Sequence, residues 1–136
     1  MNFPYLVRFQ PVLLSLFRFM TGLLLLQYGI AKLFKFPVLP YFANIPPLIY
    51  AAGTLELVLG ALLMIGLFTR LAAFILSGEM AFAYFMGHAP RDFYPLTNGG
   101  EPAVLFCFIF LYIAASGPGP WSVDAMRNTA LSREMT

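Results

Sequence analysis

Long apolar runs separated by short polar breaks make up most of the chain, and they come in four blocks. They span residues 12–33 (VLLSLFRFMTGLLLLQYGIAKL), 46–68, 71–87 and 102–115. A hydrocarbon core about 30 Å thick needs roughly 20 helical residues, with about 17–25 tolerated, so each block is read as a transmembrane helix, the fourth a short one. Pro11 and the pair Pro46–Pro47 suit first helical turns, Lys35–Pro37 breaks the first block, and SGPGP (116–120) ends the fourth. Backbone groups in lipid must be satisfied within the segment, and no ten-residue alternation argues for a barrel. The expected fold is an all-α membrane protein, a single domain over 1–136 built as a four-transmembrane-helix bundle.

The breaks differ in character. FTR (68–70) leaves room only for a tight antiparallel hairpin between the second and third blocks. The breaks at 35–47 and 88–101 are longer and mix Pro, aromatic, amide and charged residues. Tyr41, Phe42, Phe93 and Tyr94 there suit an interfacial belt, or loops that cap a cavity. The tail from Trp121 is expected either to lie along the membrane surface as a short amphipathic turn or to be disordered. The first block reads as a retained helix rather than a cleaved signal peptide.

Composition agrees with this pattern: 60% of the 136 residues are apolar and only 10% charged, with a mean hydropathy of +0.80. Soluble domains carry about 25% charged residues. One Cys excludes an internal disulfide or a CxxC centre. A net charge of +2 without a Lys/Arg run gives no reason to expect nucleic acid. Four spans put both termini on one side, together with Arg8, Arg70, Arg127 and Arg133 and with Arg18 nearby; Lys32, Lys35 and Arg91 fall opposite. Excess positive charge marks the cytoplasmic face, so both termini are expected inside.

The candidate chemistry lies in the charges within the spans. Glu56 and Glu79 fall near mid-membrane, where a charged side chain costs at least about 2.5–3.5 kcal/mol. They need partners, water or protons. Arg18, Gly22, Leu25, Gly29 and Lys32 form one stripe of the first helix, Gly53, Glu56 and Gly60 one of the second, and Ala72, Glu79, Ala83 and Met86 one of the third. Counting depth by helical rise pairs Arg18 with Glu79, assisted by Gln27, and leaves Glu56 available below Lys32. Two meanings stay open: a tie that only fixes packing, or a polar pocket with Glu56 as floor, Lys32 as rim and Asn98 to Glu101 over the entrance. His88, beside Arg91 and Asp92, is a weaker ligand-contacting candidate; with no second His it suits neither a metal nor a bis-histidine haem. Cys107, in a run of Phe, Ile and Leu, reads as inert packing.

RFMTGLLLLQYGIAKLF resembles the first helix of the DoxX family, and ELVLGALLMIGLFTRLAAFILSGEMAFAY resembles its second and third. NGGE before the fourth helix and GPGPWSVD after it are similar to the family's as well. The resemblance implies a multi-pass protein of a bacterial or archaeal cytoplasmic (inner) membrane, with Arg18, Lys32, Glu56, Arg70, Asn98 and Glu101 at the family's polar motif positions. It also implies an association with quinone-linked redox systems. The expected function is therefore a redox-linked accessory or quinone-interacting subunit, dependent on a redox protein partner if it takes part in catalysis. Quinone is the expected ligand, no cofactor is expected to be bound covalently, and a homo-oligomer is open. A small-molecule transporter or binder and a structural assembly factor are the alternatives. Arg18, Lys32, Glu56, Glu79, His88, Asn98 and Glu101 are the candidate ligand-binding residues.

Overall fold

A computed structural model describes residues 2–136, and only helices and turns occur among them. A short α1 (Pro4–Arg8) leads into α2 (Gln10–Phe34), and a 3-10 turn (Pro40–Phe42) separates it from α3 (Pro47–Ile65). Next comes α4 (Thr69–Ala83), which continues into a π-helical turn (Tyr84–His88). The chain finishes with α5 (Pro95–Asn98), α6 (Glu101–Ser116) and α7 (Val123–Glu134). The protein is all-α, as the sequence predicts. Three helical segments are long and apolar enough to cross a membrane: α2, α3, and α4 with its π turn. Helix α6 has 16 residues, about 24 Å of rise, which is less than a full hydrocarbon core.

One core joins these helices. Leu25 of α2, Leu63 of α3, Ala72, Ala73, Leu76 and Met80 of α4, and Phe110 and Ile113 of α6 are buried together. The outward faces carry large exposed apolar side chains, including Leu24, Phe74, Phe82 and Phe108, as expected where lipid is the solvent. Helices α2 and α3 pack antiparallel with their backbones in near contact. A Cβ built on Gly29 would lie 2.7 Å from the Leu57 nitrogen, and one on Gly22 would lie 2.9 Å from the Gly60 oxygen. These contacts set the register: Gly22 lies opposite Gly60 to Met64, and Gly29 opposite Gly53 to Leu57.

The stripes expected on α2 and α3 are the buried faces observed: Arg18, Gly22, Leu25 and Gly29 on one, Gly53, Glu56 and Gly60 on the other. The stripe expected on the third helix needs correction. Ala83 is exposed and Met86 is 60% exposed, while the buried face runs through Ala72, Ala73, Leu76, Ser77 and Met80. Glu79 flanks that face. A helix between protein and lipid is apolar on both sides, so its sequence marks the core face only weakly. The boundary of α3 also moves. It ends at Ile65, not Phe68, because Gly66 (φ +71°) takes the left-handed conformation. The Gly66 N–H then bonds to the Leu63 oxygen and the Leu67 N–H to the Leu62 oxygen, closing a Schellman motif.

Candidate functional site

The charges of the spans sort into two groups at opposite ends of the helices. At the end where α2 finishes and α3 begins, Lys32 Nζ donates to both oxygens of Glu56, at 2.6 and 2.7 Å. Glu56 is 3% exposed and Lys32 12%. The pair that depth counting held apart is therefore directly bonded, and no gap separates rim from floor. The cause is side-chain direction. Helical side chains tilt toward their helix N-terminus, so Lys32 on α2 leans back into the bilayer. Glu56, on the antiparallel α3, leans the opposite way to meet it. The rings of Tyr28 and Phe42 flank the ammonium, with centroids 5.9 and 5.6 Å away. Tyr28 is 37% exposed and packs edge-on against Phe106 of α6. Nearby, Lys35 donates to the Phe42 oxygen at 2.6 Å and lies over the Tyr50 ring, which pins the connecting loop across the pair.

Glu79 is the acid left over. Both of its carboxyl oxygens are buried, and neither has a hydrogen-bond partner. The expected partner, Arg18, is elsewhere. Arg18 is 2% exposed at the opposite end of α2, where its Nε donates to the Leu63 oxygen at 2.8 Å. Its two Nη groups donate to the oxygens of Met64, Pro118 and Trp121. The guanidinium thus caps the C-terminus of α3, where the helix dipole and the unpaired carbonyls favour a cation. Gln27 is exposed and does not join it. Arg70 repeats the device one hairpin later, donating to the Ala114 and Ala115 oxygens at the end of α6.

The segment after SGPGP closes this end, and the sequence reading missed it. The Ser122 hydroxyl accepts from the Ala125 N–H and caps α7, while the Trp121 N–H donates to Ser15 Oγ at 3.1 Å. The Asp124 carboxylate accepts from the N–H groups of Phe68 and Thr69, each at 2.9 Å, so a residue of the tail caps α4. Burial raises the Asp124 carboxyl, but the donors at Thr69 and Phe68, with Arg127 close by, outweigh it and hold the group below its ordinary value. The one sequence signal was Ser122 directly before a helix-forming run.

Asn98, His88 and Glu101 do not reach the ion pair. Asn98 is 3% exposed and spent on structure: its Oδ1 accepts from the Gly100 N–H at 2.8 Å, and its Nδ2 donates to the Asp92 oxygen at 3.1 Å. His88 Nδ1 lies 3.2 Å from the Asn98 oxygen. Thr97 and the Phe93 N–H bond to Asp92 and hold its carboxyl below the ordinary value. Glu101 is exposed in the first turn of α6, where a negative charge suits the helix N-terminus. NGGE (98–101) is the turn into α6, tied by Asn98, and none of its polar groups bonds to Lys32 or Glu56. Two surface grooves, one along Pro120 and α7 and one beside α1, are not lined by Lys32, Glu56 or Glu79. No cluster of three or more His, Cys, Asp or Glu stands together for a metal among the described residues.

Spanning helices, a lipid-facing apolar exterior and an intramembrane ion pair define a small helical membrane protein that contacts the bilayer. The chain belongs to the DoxX family, whose model matches residues 13–89, from α2 to the π turn. A protein of Haemophilus influenzae, described only as uncharacterized, is 40% identical over 125 residues, 88% of this chain and 93% of its own length. No solved structure matches. Arg18, Lys32, Glu56, Arg70 and Glu79 lie within the matched segment; Asn98, Glu101 and the tail lie beyond it.

Proposed function

We propose that this protein is a redox-linked accessory subunit of a bacterial cytoplasmic membrane that holds a quinone head group against the Lys32–Glu56 pair. Helix α6 serves as the fourth span, and both termini face the cytoplasm, since Arg8, Arg18, Arg70, Arg127 and Arg133 gather at one end. The observation that carries this reading is the pair itself, its ammonium flanked by Phe42 and by Tyr28, which is 37% exposed. A quinone reaches such a site sideways from lipid, and its ring suits an aromatic wall. A quinone carbonyl accepts from the Lys32 ammonium, and a quinol hydroxyl donates to Glu56. The chain contributes binding and orientation; electrons come from a protein partner or a small reductant.

Chemical extraction of the purified protein, with mass spectrometry of the extract, tests this. Wild type is expected to carry quinone, and the charge-balanced variant Lys32→Met/Glu56→Gln to lose it. Equal quinone in both, or none in wild type, rejects the reading. A second reading, an assembly factor without a ligand, is favoured by one observation: Lys32 and Glu56 already satisfy each other with no space between them. A folded protein that binds no quinone but retains a protein partner would select it.

A further inference from the structure

Glu79 takes no part in the head-group reading, yet it is the one acid described whose carboxyl oxygens are both buried without a hydrogen-bond partner. Its two oxygens are buried without a donor, while those of Glu56 receive the whole hydrogen-bonding capacity that Lys32 turns inward. With Lys32 bonded to Glu56, an ionised Glu79 would be an uncompensated negative charge in a low-dielectric interior.

The packed elements offer nothing else to balance it. The cation that α2 offers, Lys32, is bonded to Glu56 of α3. At this depth α6 brings Cys107, whose carbonyl is taken by Ser77 Oγ at 2.8 Å and whose sulfur lies 3.6 Å from the same hydroxyl. On α4 and its π turn the next titratable side chain is Tyr84, which accepts from Asn98. Arg18 and Arg70 are committed to helix ends far along the bundle. A proton on Glu79 removes that charge. On Glu56 the same proton would weaken the two bonds from Lys32, whereas Glu79 has no donor to lose.

We infer that Glu79 is a proton-binding site inside the membrane, its carboxyl holding the proton while Lys32 and Glu56 keep their ion pair. Protonation forms one O–H bond on Glu79, and deprotonation returns that proton to water. No electron moves. The inference concerns a different residue from the head-group reading and stands whether or not a quinone binds.

The test is dicyclohexylcarbodiimide, which modifies protonated carboxyls in apolar surroundings, applied to the full chain in lipid nanodiscs after quinone extraction, with adducts mapped by mass spectrometry. Glu79 is expected to carry the adduct and Glu56 to remain free, with labelling fading as pH rises. Lys32→Met, which strips Glu56 of its cation, is expected to bring Glu56 into labelling as well. Labelling of Glu56 and not Glu79 in wild type, or protection of Glu79 by sodium ions, overturns the inference. Infrared spectroscopy supplies a readout that does not depend on reagent access. The carbonyl stretch of a protonated carboxyl is expected in wild type at neutral pH and absent from Glu79→Gln. Identical spectra for the two proteins would also overturn it.

Discussion

At the scale of single residues, the buried charges divide by what they touch. Arg18 and Arg70 touch carbonyl oxygens at helix ends and hold architecture, whereas Lys32 and Glu56 touch each other and Glu79 touches no donor. Arg18→Leu leaves the oxygens of Leu63, Pro118 and Trp121 without their donor and is expected to destabilise the protein by on the order of 3 kcal/mol. Thermal unfolding in detergent measures this, and adding Glu79→Gln should restore none of the loss; rescue would return Arg18 to Glu79. The glycines give a matched pair. Gly29→Ala drives a methyl into the α3 backbone and should cost about 1–3 kcal/mol, because two helices must separate. Gly78→Ala meets nothing within 4 Å in mid-helix and should stabilise by about 0.5–1 kcal/mol. The sequence showed Arg18, Lys32, Glu56 and Glu79 as the charges within the spans, but not their pairing. Rise per residue locates a Cα, whereas a lysine side chain reaches about a further helical turn, in the direction its helix dictates.

At the scale of elements, the helix ends carry most of the specificity. The Schellman turn at Gly66, the Arg18 cap on α3 and the Asp124 cap on α4 meet within a few residues of the FTR hairpin. Asp124→Ala is expected to cost about 1 kcal/mol, the usual worth of a cap, and to expose the tail to protease. Because the folded carboxyl is held below its unfolded value, its stabilisation is full above the ordinary aspartate range and disappears as pH falls through the folded value. Tail protection, read by limited proteolysis, should therefore weaken on acidification in wild type and stay flat in Asp124→Ala. The small-residue stripes of α2 and α3 were legible, since glycines at steps of three and four have few other uses in a membrane helix. The core face of α4 was not, since lipid and core ask for the same side chains, and the polar Glu79 drew the stripe toward itself. The tail was illegible for another reason. Asp124 caps a helix that begins 55 residues earlier, and no local pattern announces a partner so distant.

At the scale of the whole molecule, the asymmetry of charge implies an orientation and the Lys32–Glu56 pair implies a purpose. With Cys107 replaced by Ala, a cysteine at Phe93 should react with an impermeant maleimide from outside intact cells, and one at Asn128 only after the membrane is opened. The reverse pattern would invert the topology. The central claim is that Lys32 and Glu56 form a binding site and not merely a tie, and exchanging their charges separates the two. Lys32→Glu/Glu56→Lys keeps an ion pair across α2 and α3, so a structural tie survives the exchange, but the ammonium is moved onto another helix. The decisive measurement is quinone content together with melting temperature in wild type and the exchanged variant. The account predicts a melting temperature close to wild type and a loss of bound quinone. Quinone retained at the wild-type level, or absent from both proteins while both stay folded, would contradict it.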